Sequence, residues 1–86
     1  MQWEDVGFLK ASKNRLKIFT ILSESPKTPK ELQELLNLHF SQVSFILKEL
    51  TERDLITCRN QKSRKGKIYS LSDKGEQIKK NSEKVI

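Results

Sequence analysis

Five cations fall within nine residues: Arg59, Lys62, Arg64, Lys65 and Lys67, with no acid among them. A cluster of this kind suits a polyanion, because it concentrates positive potential that dispersed charge would dilute. A solvated loop would carry the same charges, so the surroundings decide between the two. Residues 1–58 carry eight basic and eight acidic side chains, so the whole net charge of +6 resides in residues 59–86. A second group is Ser41, Gln42, Ser44, Phe45 and Lys48. Ser and Gln can bond base edges, with Gln suited to adenine, and Phe45 can touch a thymine methyl or pack partly into a core. Lys48, one turn further on, suits a phosphate.

The rest of the inventory is poor in chemistry. One His and one Cys cannot furnish the roughly four ligands of a structural zinc site. The same scarcity leaves no Ser/His/Asp or Cys/His set, and three Gly leave no phosphate-cradling loop. The acids Glu31, Glu34, Glu49 and Glu52 are spaced as surface partners on helices. No enzyme, metal or cofactor is therefore expected. Charged residues are 33% of the chain, mean hydropathy is −0.64, and no apolar run exceeds three residues, against the ~20 needed to span a bilayer. Met1 leads into Gln2-Trp3-Glu4-Asp5 and not into a signal sequence, so a cytoplasmic protein is expected. At 86 residues, 35% of them hydrophobic, the chain has room for one core and reads as one domain over residues 1–86.

Position then depends on the helices. Trp3 to about Lys10 is helix-compatible, with Trp3 an apolar anchor. Ser12 offers an N-cap for a second helix. Leu16, Ile18, Phe19, Ile21 and Leu22 make that helix apolar almost all round, which implies burial on more than one side. Ser25-Pro26-Lys27 ends it. Thr28-Pro29-Lys30-Glu31 starts the next, with a capping residue, a proline in the first turn and a capping-box Glu. Leu32, Leu35 and Leu36 form its stripe, and Asn37 tolerates a left-handed turn. A helix from about Phe40 to Arg53 turns Val43, Ile46, Leu47 and Leu50 inward, with His39 at its start. Leu55–Arg59 and Lys67–Leu71 read as strands around the polar tip Asn60–Gly66, a β-hairpin. Cys58 shares the Ile56 face, which makes it a buried strand thiol and not a redox switch. Ser72 caps a last helix running to about Lys84, with Ile78 and Val85 as its apolar residues.

Helix, helix, tight turn, helix, basic hairpin and helix make an α+β, mostly helical order. Leu32, Leu36, Leu38, Val43 and Ile46 flank Asn37 where the two helices of a helix-turn-helix touch, and the outer face of the second stays small and polar at its start. Ser12 to Phe19, Thr28-Pro29-Lys30-Glu31-Leu32, Leu38 to Leu50, Arg53 to Ile56 and Tyr69 to Gly75 together resemble the winged helix-turn-helix regulators of the ArsR/MarR type. Small size and a Lys-over-Arg bias are similar to archaeal members. Gln33 and Asp54 stand where that family commonly has a small residue and a glycine, and the Cys clusters of its metal sensors are absent. The resemblance implies a three-helix core, a wing and a C-terminal helix. It implies a sequence-specific regulator of double-stranded DNA, a repressor before an activator, acting as a homodimer. The helix bearing Ser41, Gln42, Ser44, Phe45 and Lys48 would enter the major groove. Arg59, Lys62, Arg64, Lys65 and Lys67 would reach flanking backbone or minor groove, and Thr28 and Lys30 the backbone. The N-terminal and last helices, with apolar residues left over, are the expected dimer surfaces. The alternative is a winged module that docks on protein within a larger complex.

Overall fold

A computed structural model describes residues 3–60, 62 and 66–82 of the chain, without the side chains of Trp3 and Ser82. The elements run α1 (Trp3–Lys10), α2 (Lys13–Glu24), α3 (Pro29–Leu36), α4 (Phe40–Glu52), β1 (Ile56–Cys58), β2 (Tyr69–Leu71) and α5 (Asp73–Ser82). This is the mostly helical, winged helix-turn-helix order.

Side chains near each helix start explain the boundaries. Ser12 Oγ accepts the Arg15 N–H at 3.3 Å. Thr28 Oγ1 accepts the Glu31 N–H at 3.1 Å while Glu31 Oε1 accepts the Thr28 N–H at 3.0 Å, so two otherwise orphaned donors are satisfied. Ser72 Oγ accepts the Gly75 N–H at 3.1 Å and donates to the Asp54 carbonyl, tying the start of α5 to the end of α4. Among the described residues, two that are not glycine take left-handed backbone: Asn37, φ 53°, which ends α3, and Asp54, φ 60°, which turns the chain out of α4. Their short polar side chains tolerate that region better than other residues do.

Ile18, Phe19 and Leu22 of α2 form the middle of the core, against Leu9 of α1, Leu32 of α3, the inward stripe of α4, Leu55, Ile56 and Leu71 at the hairpin, and Ile78 of α5. α2 packs against α1, β2 and α4, which is what a helix apolar on several sides requires. β1 and β2 pair antiparallel, with Ile56 opposite Leu71 and Cys58 opposite Tyr69. Lys27 adds a bridge on the other edge of β2, exchanging both backbone hydrogen bonds with Tyr69. The segment that stops α2 therefore also extends the sheet. Gly75 is buried where α5 crosses the end of β1's lead-in: a Cβ there would collide with the Leu55 carbonyl.

Several expectations change. Leu35 is 60% exposed, because Leu32 and Leu36 occupy the contact with α4 and Leu35 is turned about 100° from Leu36. Leu16 is likewise exposed at the surface of α2, while Ile78 is buried in the chain's own core and is not left over. Cys58 is half-buried, since its Sγ sits at the sheet margin and donates to Asn60 Oδ1 at 3.6 Å. α4 ends at Glu52, as Arg53 and Asp54 already form the turn. The strands are three residues each, shorter than expected. Val85 and the end of the last helix, Lys84 included, lie outside the described residues.

Candidate nucleic-acid interface

At about 100° per residue, α4 has two opposed faces. Val43, Ile46, Leu47 and Leu50 are buried. Ser41, Phe45 and Lys48 lie along the opposite line, Ser44 borders it on one side and Gln42 on the other, and all five are exposed. Phe45 is 62% exposed, which removes core packing as its role. Phe40 is exposed to a similar degree at the first position of the helix. His39 is exposed and precedes the helix; its N–H donates to Gln42 Oε1 at 3.1 Å. Gln42 thus helps to cap the helix on which it lies.

A polar strap fixes the pose of α4. Arg15 of α2 donates to Glu49 through Nε, at 3.3 Å to Oε1, and Nη2, at 2.8 Å to Oε2, and its Nη1 donates to the Phe8 carbonyl at 3.2 Å. The guanidinium groups of Arg15 and Arg53 stack on the Phe8 ring, 4.0 and 3.8 Å from its centroid. Each contact adds cation–π attraction to the packing. Asp5, buried on α1, pairs with Arg53 at 3.5 Å and Lys74 at 3.2 Å, and Lys74 Nζ donates to the Arg53 carbonyl at 2.9 Å. α1 is thereby joined to both the middle and the end of α4. Sequence reasoning missed these partners, which lie 34 and 48 positions apart and leave no spacing signal.

The wing is organised by a residue that the sequence reading placed only in a polar tip. Asn60 Oδ1 accepts the Ile68 N–H at 2.6 Å and Asn60 Nδ2 donates to the Gly66 carbonyl at 3.0 Å. Arg59 N–H still bonds the Ile68 carbonyl at 2.7 Å, but the returning Ile68 N–H goes to the Asn60 side chain. The ladder is peeled open at that rung, which shortens both strands. Gly66 closes the turn at φ 67°. Arg59, Lys62 and Lys67 are exposed around this base. Arg64 and Lys65 lie outside the described residues. At the root of the wing, burial and then the neighbouring Cys58 raise the Tyr69 hydroxyl above its ordinary range. At the start of α3, Lys30 is exposed and Thr28 is half-buried, with its hydroxyl engaged in the cap. The Glu31 carboxyl is held below its ordinary range, first by the Thr28 backbone N–H and next by the Thr28 hydroxyl.

Away from α4 and the wing, α1, α2 and α5 enclose a groove of about 440 Å³ lined by Val6, Leu9, Leu16, Phe19 and Ile78, with Lys10, Glu24 and Lys79 at its polar margin. Among the described residues no group of His, Cys, Asp and Glu could hold a metal ion, and no helix is long and apolar enough to cross a membrane.

These features have counterparts in known proteins. A helix-turn-helix domain family matches residues 11–59, from the cap of α2 to the end of β1. Among solved structures, HlyU from Vibrio cholerae is 28% identical over 91% of this chain and 88% of its own, with a TM-score of 0.72. ZitR from Lactococcus lactis is 23% identical over 94% of this chain and 63% of its own, TM-score 0.73. A MarR family regulator from Neisseria meningitidis is 21% identical over 94% and 61%, TM-score 0.69. The last two share the fold, and this chain spans about three-fifths of their length. No curated protein matches the sequence. With the family matched across α2, α3, α4 and β1, and the wing and α5 in place behind them, the chain belongs to the helix-turn-helix domain family and shares the winged fold of HlyU, ZitR and the MarR family regulator.

Proposed function

We propose that the chain is a single winged domain that binds specific double-stranded DNA as a homodimer in the cytoplasm, with the nucleoid, and represses transcription by occupying its operator. One observation carries this reading. Ser41, Gln42, Ser44, Phe45 and Lys48 are all exposed on a helix whose other face is the core, and the exposed cations Arg59, Lys62 and Lys67 rise from the adjoining hairpin. In this reading α4 lies in the major groove, where the side chains near its start meet base edges. Lys48, Thr28 and Lys30 meet phosphates beside it. Arg59, Lys62, Arg64, Lys65 and Lys67 follow the flanking backbone and supply affinity without sequence information. The apolar groove between α1, α2 and α5, with Leu16 exposed at its edge, supports dimerisation on the side away from α4.

The test is enrichment from a random duplex pool at two salt concentrations, followed by sequencing. An inverted repeat with half-sites about one helical turn, ~34 Å, apart is expected, with affinity falling steeply as salt rises. Salt-dependent binding without an enriched sequence would make the chain a non-specific DNA binder. Absence of binding at low salt would leave docking on protein as its role.

A further inference from the structure

We infer that Gln42 selects guanine, not adenine, at the base pair that it faces; this rests on the reading above, in which α4 is the helix in the major groove. An amide recognises adenine with both of its ends: the oxygen accepts from N6 and the nitrogen donates to N7. Here the two ends are not equally available. Gln42 Oε1 accepts the His39 N–H at 3.1 Å. A backbone N–H can face only an acceptor, so chemistry fixes which end of the amide lies there. Gln42 is the third residue of α4, and this bond satisfies one of the donors that a helix start leaves orphaned. The oxygen is turned back along the chain, and the Nε2 amino group with its two hydrogens is the free end of an exposed side chain.

A tip that only donates is matched by an edge that only accepts. Guanine presents N7 and O6 side by side. Adenine sets its N6 donor next to N7, cytosine presents a donor, and thymine has a single acceptor beside a methyl group. The cap also holds the amide in one orientation before DNA arrives, so no bond within the helix has to break for guanine to be read. Adenine would require the same oxygen, already directed back at His39, to present its second lone pair to N6 as well. Ser41 and Ser44 are not committed in this way, because a hydroxyl can both donate and accept.

The experiment is enrichment of random duplexes with the full chain and with Gln42→Ala and Gln42→Glu, then anisotropy titrations on the enriched duplex. The position whose preference collapses in Gln42→Ala is expected to be guanine. Replacing that guanine by 7-deazaguanine, which lacks the N7 acceptor, weakens the wild-type chain about five- to tenfold and leaves Gln42→Ala unaffected. Gln42→Glu keeps an acceptor for the His39 N–H, so it retains the helical circular-dichroism signal and the thermal midpoint. It moves the preference to cytosine, whose N4 donates. An adenine at the responsive position overturns the inference and leaves α4 as the reading helix. A site with no position responsive to Gln42→Ala also overturns it. In that case Ser41→Ala and Phe45→Ala separate the causes: altered preferences keep α4 in the groove, and unaltered ones remove it.

Discussion

Arg15 and Glu49 form a two-bond ion pair, at 2.8 and 3.3 Å, between the central core helix and the middle of the exposed-face helix α4. A planar guanidinium meeting a carboxylate this way fixes direction as well as distance. Its side chains are 21% exposed, so solvent weakens the pair without abolishing it. We expect Glu49→Ala and Arg15→Ala each to lower stability by about 1–2 kcal/mol, with a double-mutant coupling energy of about 1 kcal/mol in urea denaturation. Fully additive losses would mean that the two residues act separately.

The wing depends on Asn60. Asn60→Ala removes the acceptor for the Ile68 N–H and the donor to the Gly66 carbonyl. Loss of these two bonds should speed hydrogen exchange at the Ile68 amide at least tenfold, corresponding to about 1.4 kcal/mol of local opening. If the wing contacts the DNA backbone as proposed, affinity for operator and random duplex should fall together. A loss confined to the operator would instead make the wing a reader of sequence.

Gly75 tests the junction between α5 and the lead-in to the hairpin. In Gly75→Ala the new methyl meets the Leu55 carbonyl, a backbone atom that can move only with the chain that carries it. The expected cost is about 2–3 kcal/mol, seen as a lower urea midpoint. Gly7→Ala, where a Cβ would meet nothing within 4 Å, is the control and should not destabilise.

Glu31 gives the fold a pH signature. Its folded carboxyl titrates below the ordinary value of 4.5, chiefly because it accepts the Thr28 backbone N–H. The stabilisation is therefore present above the unfolded value and is lost as pH falls through the lower, folded one. The thermal midpoint of Glu31→Ala should lie below that of the wild type at pH 7, and the gap should narrow as the pH is lowered through and below 4.5. A gap that stays constant down to pH 3 would remove the carboxylate from the cap.

The parts that were legible in the sequence are local. Thr28 and Glu31 sit three residues apart, and that spacing alone specifies a capping box. Asn37 is a short polar residue at the end of an apolar stripe, where a left-handed turn is expected, and Asp54 takes such a turn where the resembling family commonly has glycine. Ser41, Phe45 and Lys48 follow from the helical period once Val43, Ile46 and Leu47 are assigned inward. The parts that were not legible are long-range choices among equivalents. Glu49 reads like any surface acid until α2 brings Arg15 to it, and Asp5 gains Arg53 and Lys74 only when three helices converge. Asn60 was hidden for another reason: its side chain replaces a backbone acceptor, and composition cannot separate that from ordinary loop polarity. Leu35 was misplaced because three leucines in five residues cannot all face one short contact.

The most direct test of the account compares Phe45→Ala with Arg59→Ala on the enriched operator and on random duplex across a salt series. Phe45→Ala should weaken the operator complex by about 1–3 kcal/mol and leave random DNA unchanged. Arg59→Ala should weaken both equally and reduce the salt slope by about 1. Equal losses on the two duplexes for Phe45→Ala would contradict the assignment of base reading to α4.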